Sequence, residues 1–134
     1  MPNHDQVETV VKSHFELWNA GDKSQWTRIW HPDLIMLDPV GGPEKHGSPA
    51  IENTWDRAFQ PGHRWNLEVV FMTICENQAA AHVVSHANLD GKVFDLESIE
   101  LYWVGDDGRI ARCHTYFTAK AGQNLDPYWT TPNT

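Results

Sequence analysis

Three residues combine a side chain able to move or hold a proton with a setting that takes it out of water: Asp38, Glu100 and His14. Asp38 closes the run Leu34-Ile-Met-Leu-Asp38, apolar enough for a strand covered on both faces. A carboxylate at the inner end of such a strand loses hydration, which raises its pKa and makes it a usable base near neutral pH. Asp-Pro also opens turns, with the side chain bonding the following amides, and the local sequence favours that simpler reading. Glu100 lies in Phe94-Asp-Leu-Glu-Ser-Ile-Glu-Leu-Tyr-Trp103, where alternation puts Phe94, Leu96, Ser98, Glu100 and Tyr102 on one face. If that face is interior, Glu100 must pair with a cation or stay protonated and donate a hydrogen bond. If it faces water, Glu100 is a solvated strand residue, the reading that the strand alone slightly favours. His14 shares a helical stripe with Val7, Val10, Val11, Leu17 and Trp18, so it points into the core, where a lone histidine is more often satisfied locally than catalytic.

Other chemistries drop out. His82 and His86 are four apart, with His114 on a neighbouring expected strand, but four residues along a strand are roughly 13 Å, too far for the pair to share one ion. There is no Gly-rich phosphate loop, no nucleophile elbow and no Cys-x-x-Cys pair, Cys75 and Cys113 being the only cysteines. No metal and no cofactor is expected. With 18 acidic against 10 basic residues the formal charge is -8, which disfavours nucleic acid and anionic lipid as partners. No stretch approaches a membrane span and the N-terminal residues carry no export signal, so a soluble, cytoplasmic protein with reduced thiols is expected.

The elements that must position these residues can be read in order. A first helix is expected over about 6–20, with Asp5 and Glu8 as a capping box and Gly21 as its stop. Asp22 or Ser24 caps a short second helix carrying Trp26, Ile29 and Trp30, which Pro32 ends. After the strand ending at Asp38, Ser48-Pro49 caps a third helix with Ile51, Trp55, Ala58 and Phe59, closing before Pro61-Gly62. Strands follow at about 64–76, 79–89, 92–104 and 110–118, joined by Asp90-Gly91 and Gly105-Asp-Asp-Gly108 turns. Helices first and an antiparallel meander after make an α+β fold of one domain, 1–121, with an irregular tail over 122–134. The tail aromatics Tyr128 and Trp129 are expected to pack on their own domain.

Trp18-Asn-Ala-Gly-Asp22, Trp30-His-Pro-Asp-Leu-Ile-Met-Leu-Asp-Pro-Val-Gly41, His46-Gly47 before Ala50-Ile51, and Gly108-Arg-Ile110 together resemble the ketosteroid isomerase branch of the NTF2-like (SnoaL-like) superfamily, over about residues 5–118. The resemblance implies a cone of curved, mostly antiparallel sheet wrapped over the N-terminal helices. It implies Asp38 as general base, and Glu100 as a neutral acid that, with His14 in the place of a tyrosine, holds a developing oxyanion. That neutral carboxylic acid is the family's known device. It also implies an apolar, steroid-like substrate walled by Trp30, Trp55, Val83, Cys113 and Phe117. Two departures bear on the chemistry. Glutamate replaces aspartate as the acid, and histidine replaces tyrosine, whose phenol is the stronger acid; the same pocket could instead serve a dehydratase or polyketide cyclase using His14 and Asp38, or a non-catalytic binding module. A homodimer through the outer sheet face, with Glu97, Ile99, Leu101 and Trp103, completes the expectation.

Overall fold

Asn3 opens the first helix, α1 (His4–Ala20): its side chain accepts from the Gln6 amide at 2.9 Å while Gln6 Oε1 accepts from the Asn3 amide at 2.8 Å. This reciprocal box stands two residues before the expected Asp5–Glu8 pair and leaves Asp5 in the first turn, where the helix dipole favours an anion. Gly21 ends the helix at φ 70, the left-handed cap that a side chain would resist. The computed structural model describes residues 1–121 together with Gln123, Leu125, Asp126, Tyr128 and Trp129.

Asp22 caps α2 (Lys23–Trp26) by accepting from the Gln25 amide, and a 3-10 turn over Thr27–Ile29 follows. The expected second helix is therefore shorter, because Trp30 already belongs to β1 (Trp30–Leu37) and Pro32 lies inside a strand. Pro32 is tolerated there because the register with the neighbouring strand is irregular between Trp30 and Ile35, where ladder bonds are not required. Leu34 and Met36 are buried while Ile35 and Leu37 are half-buried, so β1 is fully covered on one face only. After β2 (Lys45–His46), α3 spans Gly47–Ala58; His46 stands at its cap position without a side-chain bond, and Ser48-Pro49 falls inside the first turn rather than before it.

The meander comprises β3 (His63–Cys75), β4 (Gln78–Leu89), β5 (Lys92–Val104) and β6 (Ile110–Tyr116). Asp90 and Gly91, both at positive φ, form the β4–β5 turn that the Asp-Gly signal predicts. The sheet order is β2-β1-β6-β5-β4-β3, antiparallel except for the β1–β6 pair. Its curved, unclosed surface wraps the three helices, an α+β cone of the NTF2-like type.

Between helices and sheet lies an aromatic core. Trp26 is wholly buried and its ring stands 5.3 Å from Trp18, 5.3 Å from Trp30 and 5.1 Å from Trp55. Trp55 in turn stacks on Phe59 with centroids 4.0 Å apart. On the sheet side, one cross-strand row runs Lys45, Met36, Cys113, Tyr102, Ala79, all buried and facing inward. Two residues farther along, Glu100 pairs in register with Thr115, and β1 ends alongside them at Leu37 opposite His114. That offset delivers Asp38 beside Thr115 and Glu100, so the sheet register assembles the polar end of the interior.

Candidate active site

Asp38, Glu100 and His14 line one cavity of about 100 Å³, together with Trp30, Cys113 and Phe117. Trp55 and Val83, expected on its wall, do not line it: both are buried in the hydrophobic core, Trp55 behind Trp18, Trp26 and Phe59. Leu125 and Trp129 of the C-terminal segment also line the space. Tyr128 Oη lies 3.4 Å from Thr54 Oγ1 and donates to the Ala50 carbonyl at 3.2 Å, while Arg57 pairs with Asp126 at 3.3 Å. The tail aromatics thus pack on their own domain.

Glu100 is buried, at 8% exposure, which settles the choice between interior and solvated face. Ser98 Oγ donates to its Oε2 at 2.8 Å and the Tyr102 hydroxyl donates to Oε1. Burial pushes its pKa up to about 7, the two hydrogen bonds pulling against that shift and the nearby Asp38 charge adding to it. Burial raises the Tyr102 phenol well above its ordinary value, so it remains a donor and reserves Oε1 as an acceptor. When Glu100 is protonated, its proton therefore sits on Oε2, shared with Ser98 or directed at a ligand.

Asp38 is half-buried and follows the last residue of β1. Thr115 Oγ1 donates to its Oδ1, and the Val40 amide bonds the Thr115 carbonyl at 2.8 Å, pinning the segment to β6. Its Oδ2 has no hydrogen-bond partner among the described residues. Desolvation raises the Asp38 pKa, opposed by the Thr115 hydrogen bond and the Lys45 charge. Both carboxyls are raised, but Asp38 has the cation near it, so it is the one to carry negative charge.

His14 accepts a hydrogen bond from the Trp26 indole N–H, at 2.9 Å on Nδ1. An accepting Nδ1 in a neutral ring requires the proton on Nε2, and burial drives the pKa down to about 3, so the ring is neutral at any working pH. His14 is thereby a donor through Nε2 and a poor base. Trp26→Phe removes the lock: we expect a loss of roughly 1–3 kcal/mol from the unsatisfied Nδ1, and a shift of the His14 15N signals from a pure Nε2–H form to a tautomer mixture. Unchanged 15N shifts would mean that something other than Trp26 fixes the ring. The Trp30 indole N–H is buried with no partner among the described residues, an unmet donor at the cavity wall.

The remaining candidates lie elsewhere. His82 pairs with Glu97 at 2.9 Å, His86 with Asp95 at 2.7 Å and Glu68 at 2.8 Å, and His114 accepts from Arg112 at 2.7 Å. No group of three metal-type side chains close enough to hold an ion is found among the described residues. Cys113 is buried with its thiol pushed well up, which suits packing rather than nucleophilic attack. Lys45, Ser98, Tyr102 and Thr115 escaped the sequence reading as participants. Alternation around Glu100 could have found Ser98 and Tyr102, whereas Lys45 and Thr115 reach the site only through cross-strand register.

Two carboxyls with unlike surroundings share one cavity under this curved sheet, and the SnoaL-like domain family matches residues 11–113. This chain is a SnoaL-like domain. Rv0760c from Mycobacterium tuberculosis, a protein also solved with estradiol-17β-hemisuccinate, is 16% identical with a TM-score of 0.75, covering 88% of this chain and 95% of that one. SalBIII, an epoxide hydrolase/cyclase-like enzyme of pyran ring formation in salinomycin, is 13% identical with a TM-score of 0.79, covering 88% and 95%. A computationally designed 17-OHP binder is 17% identical with a TM-score of 0.73, covering 84% and 93%. No curated protein sequence matches. At these identities the solved structures establish that the SnoaL-like domain has the shared fold.

Proposed function

We propose that this SnoaL-like domain is a ketosteroid isomerase-like enzyme that moves a proton α to the carbonyl of an apolar, polycyclic ketone. The observation that carries this reading is the pair of carboxyls in one apolar cavity with unlike surroundings: Asp38 beside a cation with an open oxygen, and Glu100 buried and half-protonated near pH 7. Asp38 takes the proton; Glu100 through its Oε2 proton and His14 through Nε2–H stabilise the enolate oxygen. Rv0760c bound to an estradiol derivative and the designed 17-OHP binder support a steroid-like ligand for this cone. About 100 Å³ is less than the roughly 300 Å³ at which small-molecule pockets begin. A polycycle therefore places one ring between the carboxyls and displaces Leu125 and Trp129.

The test is ultraviolet detection of a Δ5-3-keto steroid converting to its conjugated Δ4 isomer. Turnover supports the reading; absence of turnover with tight estradiol binding removes it.

A second reading is favoured by the likeness to SalBIII: the same dyad, base and acid, closes a ring or eliminates water on a hydroxy-ketone. His14 is then a donor rather than the base, because Trp26 occupies the nitrogen that would have to accept. A binding module without chemistry is the outcome if neither substrate class turns over. The half-exposed or exposed Val70, Phe71, Val93 and Ile99 on the outer sheet face fit a homodimer, which sedimentation at micromolar concentration would reveal.

A further inference from the structure

Lys45 is buried at 8% exposure, yet among the described residues its ammonium makes no ion pair. A buried cation is costly unless other groups replace its water. Here Nζ donates to the backbone carbonyl of Asp38 at 2.8 Å and lies 4.2 Å from the ring centre of Tyr128 and 5.5 Å from that of Trp129. Pairing β2 with β1 puts Lys45 opposite Met36 on the inward face, which is why the side chain cannot swing out to solvent. By bonding the backbone oxygen instead of the carboxylate, it brings a positive charge close to Asp38 without occupying an oxygen that must accept a proton.

We propose that Lys45 is a positioning residue that decides which carboxyl of the pair is the base, its ammonium holding the negative charge on Asp38 and leaving the proton on Glu100. Two carboxyls in one poorly hydrated site do not both ionise readily, so a charge placed on one side selects between them. The titratable groups facing Asp38 are Lys45 from β2, Glu100 and Tyr102 from β5, Cys113 from β6 and Tyr128 from the C-terminal segment, and α1 adds His14 on the same cavity, which burial keeps neutral. The contribution of α3 to the cavity is the uncharged Thr54 and Ala58. Lys45 alone in that group brings positive charge. Its influence reaches Asp38, whereas the charge acting on Glu100 is that of Asp38 itself.

The assignment of roles rests on the isomerase reading, but the electrostatic claim can be read without any substrate. Protein labelled with 13C at the aspartate carboxyl carbon is titrated by NMR, the Asp38 signal being assigned by its loss in Asp38→Asn. Lys45→Met should raise the Asp38 midpoint by at least one pH unit, and Lys45→Arg should return it to within a few tenths of wild type. Lys45→Gln puts a neutral amide donor, one bond shorter, in place of the charge and should shift the midpoint as Lys45→Met does. If Lys45→Gln titrates like wild type, Lys45 is only a backbone tether and the proposal fails, whatever the steroid assay gives. A steroid assay without turnover but with the shifted midpoint removes the isomerase reading and leaves the charge selection standing.

Discussion

An Asp38→Asn variant should lose about 10³-fold or more in kcat on a Δ5-3-keto steroid while binding estradiol within a few-fold of wild type. Asparagine preserves shape, and its amide oxygen can still accept from Thr115 as Oδ1 does now. What it lacks is a lone pair basic enough to remove a carbon acid's proton, and a positioned base is worth about 10²–10⁴ in rate. An interaction made only in the transition state lowers kcat and kcat/KM together and leaves the dissociation constant alone. The loss should therefore fall in kcat, measured by the ultraviolet assay, with estradiol affinity followed by calorimetry. The variant also strands the Lys45 ammonium without a nearby anion, so a modest drop in Tm is expected beside the catalytic loss. If Asp38→Asn instead keeps a tenth or more of wild-type turnover, the proton is taken elsewhere and the dyad has been misassigned.

Why Asp38 could be suspected at all shows what a sequence carries. Its position at the end of an apolar strand, the alternation around Glu100 and the helical stripe through His14 are local periodicities, and local periodicity survives folding because Cβ directions follow from backbone geometry. The same holds for the hairpins, since Asp90-Gly91 supplies the positive φ values that the turn requires. What local periodicity lacks is the lateral offset between strands that are distant in the chain. Thr115 donates to Asp38 across 77 residues, and Lys45 arrives on a two-residue strand with no apolar pattern of its own. Trp26, placed by the sequence on the short second helix, also sets the tautomer of His14, a relation between two helices that neither helix encodes. Trp55 and Val83 fail as pocket residues for the converse reason. Their positions resemble the family's, but here Trp18, Trp26 and Phe59 crowd around Trp55, so the ring expected to face a ligand is absorbed into the core.

Glu100 makes the second large effect, and it is a dependence on pH. As the oxyanion donor it must be protonated, so kcat/KM should fall as pH rises through about 7, and Glu100→Gln, a neutral donor of the same shape, should remove that limb. Ser98 permits the exchange because its hydroxyl can turn from donating to Oε2 to accepting from an amide, while Tyr102 continues to donate to the remaining oxygen. Glu100→Ala, with no donor, should cost about 10²-fold in kcat, on the scale of losing one oxyanion-hole donor. Stability should follow the same proton without any substrate. The folded protein holds the Glu100 proton more tightly than the unfolded chain does, so the stabilisation is complete below pH 4.5 and is lost as pH rises through about 7. At about 1.4 kcal/mol per pH unit that loss amounts to about 3 kcal/mol. Because the folded His14 stays neutral while an unfolded histidine titrates near 6.5, wild type also gains stability with pH up to that point, so the readout is the difference between two urea unfolding curves: Glu100→Gln should gain on wild type as pH rises from 5 to 8 and be the more stable at pH 8. A Gln variant whose curve parallels that of wild type from pH 5 to 8 would mean that Glu100 is ionised throughout and cannot donate a proton to an enolate.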